Sequence, residues 1–426
     1  MMTKNKTIKH LFFMMCFIFV LSGVVAKAEA VLKVNDAIYL AFGRGAINSN
    51  TFMVITGAGN VIIDTSGHKF APKHKMQLKN IDSSPIKYII LTHGHGDHRG
   101  GVPVWKEEGV KVIAQRDYVE FLHYQKRLRS HFRRMGAAQF YGRRIAKIRL
   151  PEGNYPAKID ADILYSDTYE FKLGDIEFQL FHTPGETYDH TTVWIPKYKA
   201  AFVGDNYYRS FPNLYTLRGT KPRWALDYVE SINKIMKLGP EILLPSHGVP
   251  IRGREEIIKT LTRYRDAILY VHDQTVLGLN QGKDKFTLMK EIKLPPELDV
   301  GEGYGKVSWS VRGIYEGYVG WFDGNPVSMY TVPQSSVFPE LAEMAGGADR
   351  IAEKANQLLE KGETIRSLHL ADIALEADPD NREALKVRLS AYEKLLSNTA
   401  NIIEKGWLKY GLNLAREKLE ILEAGE

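Results

Sequence analysis

Short apolar runs separated by glycine-containing turns dominate the chain from Val31 to about Arg263. Phe52-Met53-Val54-Ile55 and Asn60-Val61-Ile62-Ile63-Asp64 flank Gly57 and Gly59 and predict a β-hairpin. Tyr88-Ile89-Ile90-Leu91 is a continuous apolar run with the length of a buried strand. Ile176-Glu177-Phe178-Gln179-Leu180-Phe181 alternates with a period of two, as a strand with one buried face does. Ala200-Ala201-Phe202-Val203 and Ile242-Leu243-Leu244 predict two more buried strands. Helix-like stretches lie between them, such as Trp224 to Leu238, and residues 108–150 read as helical, basic segments rich in arginine. This alternation predicts an α/β fold of sheets covered by helices.

The character changes near Tyr264. Residues 264–280 read as helix, and a region rich in Gly, Tyr and Trp runs to Pro326. From Asp349 to Leu422 the chain reads as several helices. Ala371 to Leu396 holds two apolar helical patterns joined by Asp378-Pro379-Asp380-Asn381, similar to the turn of a tetratricopeptide unit. No second clear copy is legible, so an ordinary helical hairpin serves as well. The expected division is a leader over residues 1–28, an α/β domain over 31–263 and an all-α domain over 264–426.

The leader follows from the N-terminal pattern. Lys4, Lys6 and Lys9 precede an apolar stretch from Leu11 to Val25, and Ala26-Lys27-Ala28 and Ala28-Glu29-Ala30 offer small-x-small cleavage sites. An apolar core of about 15 residues falls short of the ~20 needed to span a bilayer. The expectation is therefore a cleaved signal peptide, a periplasmic or secreted product, and no stable membrane anchor. The one cysteine, Cys16, lies inside this segment, which removes cysteine as a nucleophile or metal ligand in the mature chain. The net charge of +7 includes four leader lysines and no leader acid, leaving +3 for the remainder. That mild balance, without a clustered basic stripe, gives no case for nucleic acid. With 44% hydrophobic and 25% charged residues, the 426-residue chain has ordinary globular composition.

The chemistry concentrates in Leu91-Thr92-His93-Gly94-His95-Gly96-Asp97-His98-Arg99-Gly100-Gly101. A buried strand ending in a tight glycine-containing loop can aim His93, His95, Asp97 and His98 into one small space. Imidazole nitrogen and carboxylate oxygen are ligands that zinc accepts, and this density suffices for two ions. Three more candidates each follow a predicted strand: Glu186 in His182-Thr183-Pro184-Gly185-Glu186-Thr187, Asp205 in Val203-Gly204-Asp205-Asn206, and His247 in Leu244-Pro245-Ser246-His247-Gly248. Loops at one edge of a sheet converge there.

These motifs together resemble the metallo-β-lactamase superfamily over about residues 35–260. The resemblance implies an αββα sandwich with a dinuclear metal site at one edge. It implies that His93, His95 and Glu186 hold one ion, that Asp97, His98 and His247 hold the other, and that Asp205 bridges them. Two zinc ions would lower the pKa of a shared water so that hydroxide exists at neutral pH; iron or manganese can also occupy such shells. Most of the superfamily carries histidine where Glu186 stands, and a carboxylate there is the habit of its alkyl sulfatase branch. The extra negative charge favours release of an anionic product.

The likeness to that branch continues beyond the ligands. Phe211-Pro212-Asn213-Leu214-Tyr215-Thr216-Leu217-Arg218-Gly219 is similar to the sulfate-binding segment of bacterial linear alkyl sulfatases. Tyr270-Val271-His272-Asp273-Gln274-Thr275 and Gly320-Trp321-Phe322-Asp323-Gly324-Asn325-Pro326 also match, and the C-terminal helices resemble a dimerisation domain. A guanidinium presents a planar fork of donors to oxyanions. The expected activity is zinc-dependent hydrolysis of alkyl or aryl sulfate esters to alcohol and inorganic sulfate by a metal-bridging hydroxide, with a homodimer as the assembly. Asp97, Asp205 and Arg218 are the expected catalytic residues, and Asn213, Tyr215, Arg218 and Arg223 the substrate-binding ones. His182 and Tyr215 are candidate general acids, and S–O against C–O cleavage stays open. Tyr315, Tyr318, Trp321 and Phe322 could form an aromatic interface, wall a substrate entrance or pack in a core.

Three differences from the bacterial enzymes accompany the likeness. Their metal-binding Glu stands one residue later, their bridge is Glu, and they carry a sterol-carrier-like C-terminal domain that has no counterpart before Glu426. A shorter alkyl or an aryl sulfate thereby becomes an expected substrate. The alternatives are another hydrolase of the superfamily (lactamase, lactonase or thioesterase) and a non-enzymatic binding protein.

Overall fold

The computed structural model describes residues 31–43, 48–145 and 158–425. The expected signal peptide over residues 1–28 lies outside the described residues. The chain divides into two compact units. One draws its described residues from Met1–Leu122, Lys158–Tyr208 and Glu230–Leu261, the other from His123–Ala157, Arg209–Val229 and Thr262–Glu426.

The first unit holds two sheets. In the seven-stranded sheet, β1 (Leu32–Lys33), β2 (Ile38–Ala41), β3 (Thr51–Ile55), β4 (Asn60–Ile63), β5 (Ile86–Ile90), β6 (Lys111–Gln115) and β7 (Ile163–Tyr165) lie side by side in chain order. β1 to β4 pair antiparallel, and β4 to β7 pair parallel. The six-stranded sheet contains β8 (Thr168–Leu173), β9 (Ile176–His182), β10 (Thr191–Ile195), β11 (Ala200–Gly204), β12 (Ile242–Pro245) and β13 (Ile251–Arg252), also in chain order. Its pairs are antiparallel except β11 with β12, which run parallel.

The hairpin expected at Gly57 and Gly59 is the β3–β4 pair, with Val54 opposite Val61. Seven strands were not singled out (β1, β2, β6, β7, β8, β10 and β13), and β6 lies inside the stretch read as containing helical and basic segments. Its Val112, Ile113 and Ala114 are buried, while the basic residues that mask it flank the run.

The inner faces of both sheets share one core. Ile38, Phe52, Val54, Val61 and Ile63 from the first meet Phe178, Leu180, Val193 and Phe202 from the second. Phe52 and Phe202 pack edge to face with ring centroids 5.1 Å apart. The expected two-sheet α/β sandwich, followed by a helical region, is the observed fold class.

The strand directions explain where a site can form. β9 and β11 both run antiparallel to β10, and β12 runs parallel to β11. The carboxyl ends of these three strands therefore share one edge of their sheet. β4 and β5 likewise run in one direction.

In the second unit, the helix Ala348–Glu360 packs against Thr364–Ala377, and that helix packs against Arg382–Asn398. The turn read at 378–381 is present, and Asn381 caps the following helix by accepting from the Ala384 amide at 3.0 Å. Ala352, Ala355, Ala371, Ala374 and Ala384 are fully buried there. Small side chains let these helices approach closely, within the stretch read as several helices.

His74, on the helix Ala71–Lys79, illustrates why the first unit is sensitive to acid. Its ring is buried, with Nε2 donating to the Phe42 carbonyl at 3.0 Å and Nδ1 against the Thr51 hydroxyl at 2.9 Å. Burial disfavours the imidazolium and pushes the group down to about 4. Between that value and the ordinary 6.5 the unfolded chain binds more protons than the folded one. The stability is whole above pH 6.5 and is lost as pH falls towards 4, by up to about 3 kcal/mol from this group. Denaturant titrations at pH 7, 5.5 and 4 should show His74→Gln with a shallower acid limb than the parent. Parallel limbs would remove His74 as a source of acid sensitivity.

Candidate metal centre

Four strand ends supply the site. After β5, Leu91 and Thr92 lead into the loop carrying His93 and His95, and the short helix Gly96–Arg99 presents Asp97 and His98. The loop after β9 supplies Glu186, the residue after β11 is Asp205, and the segment after β12 supplies His247. All seven residues lie in the first unit.

Their ligand atoms converge. His95, Glu186 and Asp205 form one group, Asp97, His98 and His247 a second, and His93, His98 and Asp205 a third; within each group the candidate atoms lie within 4.8 Å of one another. His95 Nδ1 is 3.8 Å from Glu186 Oε1, and His93 Nε2 is 3.9 Å from Asp205 Oδ2. Asp205 Oδ2 also stands 3.4 Å from His98 Nε2 and 3.5 Å from His247 Nε2. Asp97 Oδ2 lies 3.6 Å from His98 Nε2 and 3.3 Å from His247 Nε2. One carboxylate, Asp205, thus faces members of both groups.

The electrostatics have the form a cation needs. His93 Nε2 and His95 Nδ1 are 2.9 Å apart, so a proton or a metal must stand between their lone pairs. Burial, then the neighbouring His98 and His95, holds His93 well below the usual range. Burial opposes a charge on His98, but Asp205, Asp97 and Asp64 outweigh it and hold His98 well above the usual range. For His247 the same contest between burial and Asp205 and Asp97 ends at about 10. Burial also opposes the Asp97 carboxylate, yet His98 and His247 bring it down to about 2. His98 Nε2 is buried without a hydrogen-bond partner of its own. That orphaned nitrogen, facing two carboxylates in a set of four imidazoles and three carboxylates, fits divalent metal.

Residues that sequence reasoning missed hold this set in place. Asp64, fully buried at the end of β4, accepts from the Thr92 amide (2.9 Å), the Thr92 hydroxyl (2.9 Å), the Ser246 hydroxyl (2.8 Å) and His98 Nδ1 (2.7 Å). The last bond leaves His98 Nε2 to act as a ligand. His190, neutral because burial pushes it down to about 3, accepts from the Asp205 amide at 3.2 Å. Gly204 has φ +51°, and a Cβ there would stand 2.4 Å from His190 Nε2. Only glycine lets β11 turn sharply enough to present Asp205. The Asn206 side chain accepts from the Glu186 amide at 3.1 Å and donates to the Thr183 carbonyl at 2.7 Å, fixing the Glu186 loop. The available signal was an Asp ending an apolar strand and a second Asp-His pair, Asp189-His190, ahead of β10.

The remaining expected residues lie elsewhere. His182, at the end of β9, donates Nε2 to the Tyr188 carbonyl at 2.8 Å and is outside the three ligand groups. Asn213, Tyr215, Arg218 and Arg223 belong to the second unit. There Gln139 accepts from the Arg218 amide at 2.8 Å, the Arg218 guanidinium donates to the Thr216 hydroxyl at 3.2 Å, and that of Arg223 donates to the Asn213 carbonyl at 2.9 Å.

Comparison with known proteins agrees with this geometry. The metallo-beta-lactamase superfamily profile matches residues 44–247, and the alkyl sulfatase dimerisation profile matches residues 287–417. The chain thus carries a metallo-β-lactamase domain followed by an alkyl sulfatase dimerisation domain. A linear primary-alkylsulfatase of Pseudomonas sp. is 29% identical over 392 residues, which cover 86% of this chain and 74% of that protein. The alkyl/aryl-sulfatase BDS1 of Saccharomyces cerevisiae is 24% identical over 395 residues, covering 86% of this chain and 61% of its own length. The solved structure of the stereoselective inverting sec-alkylsulfatase Pisa1 from Pseudomonas sp. shares the fold, with a TM-score of 0.80 at 23% identity. That match covers 91% of this chain and 65% of the other.

The buried carboxylate of Asp64 gives the test of this site. Asp64→Asn keeps the shape but removes the charge that orients His98. Metal affinity, measured by competition with a chelator, should fall about 10–100-fold while the far-ultraviolet circular dichroism is kept. Unchanged affinity would mean that His98 is oriented by packing alone.

Proposed function

We propose that this protein is a metal-dependent sulfuric ester hydrolase that releases inorganic sulfate from alkyl or aryl sulfates. The observation that carries the reading is the convergence of seven His, Asp and Glu side chains at one sheet edge, in a chain whose relatives over 86% of its length are alkylsulfatases. In this reading His93, His95 and Glu186 hold one zinc, Asp97, His98 and His247 hold a second, and Asp205 faces both. When bound, the metals supply Lewis acidity and hydroxide at neutral pH. Arg218 and Asn213 supply donors to the sulfate oxygens, with Tyr215 and Arg223 beside them in sequence. Three carboxylates in the metal shell weaken the hold on an anionic product. His182 donates to a backbone carbonyl, and His182 and Tyr215 stay the two candidate acids.

The decisive experiment follows sulfate release from a panel of alkyl and aryl sulfates, beside a lactone, a thioester and a cephalosporin. The purified protein should contain divalent metal and release sulfate. His95→Ala and chelation should abolish release, with zinc restoring the chelated enzyme, and Arg218→Ala should lower kcat/KM by about 10²–10³-fold. Turnover of a lactone or thioester with no sulfate released would move the chain to another activity of its superfamily.

The same reading makes the chain a homodimer that works outside the cytoplasm after loss of residues 1–28. Support for the dimer is the dimerisation profile over 287–417 and the apolar side chains exposed within it. Trp321 is 70% exposed, Tyr330 72% and Met344 84%, more apolar surface than single scattered residues explain. Of the four aromatics singled out in sequence, Trp321 and Phe322 are exposed, Tyr315 is half-buried and Tyr318 bonds His272. Light scattering should give twice the chain mass, and a Trp321→Glu, Tyr330→Glu double variant should approach the monomer mass. A monomeric parent at micromolar concentration would sink the dimer.

A further inference from the structure

The second unit contains a cavity of about 160 Å³. Leu214, Tyr215, Trp224, Ile314 and Tyr318 give it apolar and aromatic walls, and Arg223, Asp227 and His272 supply its polar edge. Tyr215 and Arg223 are two of the residues assigned to sulfate binding above, so the cavity begins where the anionic head is expected. Leu214, Arg223, His272 and Ile314 are buried, whereas Trp224 and Tyr318 form an exposed rim.

Two features mark the cavity as built. The helix Val307–Val319 carries Gly313 and Gly317 one turn apart, although glycine inside a helix costs about 1 kcal/mol relative to alanine. A Cβ at Gly313 would stand 2.7 Å from Tyr215 Cβ, and one at Gly317 would stand 3.2 Å from the Trp224 ring. The missing side chains let both aromatics lie against the helix. The second feature is a hydrogen-bonded chain. His272 Nδ1 pairs with Asp273 at 2.7 Å, and Nε2 meets the Tyr318 hydroxyl at 2.8 Å. A tyrosine that is 48% exposed would otherwise sample several rotamers. Here it is pinned as a wall, with its ring 5.8 Å from that of Trp224.

We infer that this cavity seats the organic group of the sulfate ester and takes one aromatic ring or about six alkyl carbons. The inference rests on the sulfate-ester reading and sharpens it to a substrate class. The size argument is direct: an apolar cavity of about 150 Å³ holds one benzene. Arg223 faces the charged end of such a molecule, and the aromatic walls face its apolar end. Carbons beyond the sixth stay in water and add nothing. The cavity therefore selects short alkyl or single-ring aryl sulfates over detergent-length chains.

The test is a chain-length series of n-alkyl sulfates from two to twelve carbons, with phenyl sulfate alongside. For the parent, kcat/KM should rise about fourfold per methylene to about six carbons and then level off. Phenyl sulfate should match the hexyl ester. Ile314→Ala should move the plateau to longer chains, and Gly317→Ala, which pushes Trp224 inward, should move it to shorter ones. Far-ultraviolet circular dichroism and metal content report whether each variant folds. A rise continuing to twelve carbons, no dependence on length, or identical profiles in all three proteins would overturn the inference. If no sulfate ester is hydrolysed, the parent reading fails separately. Calorimetry with benzenesulfonate and hexanesulfonate then decides the cavity: binding weakened at least tenfold by Ile314→Trp supports it, and absent or unaltered binding overturns it.

Discussion

A single buried carboxylate, Asp64, ties together the segments that build the metal centre. It receives four hydrogen bonds, from two groups of Thr92, from His98 and from Ser246. Thr92 immediately precedes His93, and Ser246 immediately precedes His247. One anion thus anchors the loops after β5 and β12 and sets the tautomer of a ligand between them. Burying a carboxylate costs several kcal/mol unless its lone pairs are satisfied, and here four donors satisfy them. The backbone at Asp64 has φ +55°, a conformation uncommon for a residue with a side chain. Strain of this kind persists where the surroundings over-determine it, and the four bonds do so.

With the loops fixed, the charges of the centre follow. Four imidazoles and three carboxylates crowd into one edge of the sandwich, and their mutual fields drive their protonation far from that of free side chains. Neighbouring His98 and His95 add to burial in suppressing a charge on His93, while His98 itself is held protonated by the carboxylates around it. A dication resolves both conditions at once, because it supplies the positive charge the carboxylates demand and the electrophile the facing nitrogens demand. Imidazole binds metal in its neutral form, so metal uptake at such a site is coupled to proton release.

The ligands were legible in sequence because their spacing is local and each follows an apolar run. His93, His95, Asp97 and His98 need one turn of loop and helix, and Glu186, Asp205 and His247 each end or follow a strand. Asp64 and His190 were not legible as site residues, since their roles depend on partners brought together only by the tertiary fold. β6 was hidden by flanking lysine and arginine, although its centre is fully buried. The compact units also interleave along the chain. No composition shift announces that residues 209–229 belong with the C-terminal helices.

That interleaving has a chemical consequence. The segment carrying Asn213, Tyr215, Arg218 and Arg223 is packed within the helical unit, where Gln139 accepts from the Arg218 amide and Gly313 admits Tyr215. The metal ligands are packed within the sandwich. In the proposed reading, recognition of the ester and activation of water are thus supported by separate cores. A change in the helical unit can alter which ester is bound without touching a ligand or its hydrogen bonds. Glycines at 313 and 317 are the clearest instance. Alanine there would raise helix propensity, but its Cβ would meet the aromatic walls that the glycines admit. If the cavity seats the organic group, substrate class is set by the packing of a helix face, and the chemistry by the edge of a sheet.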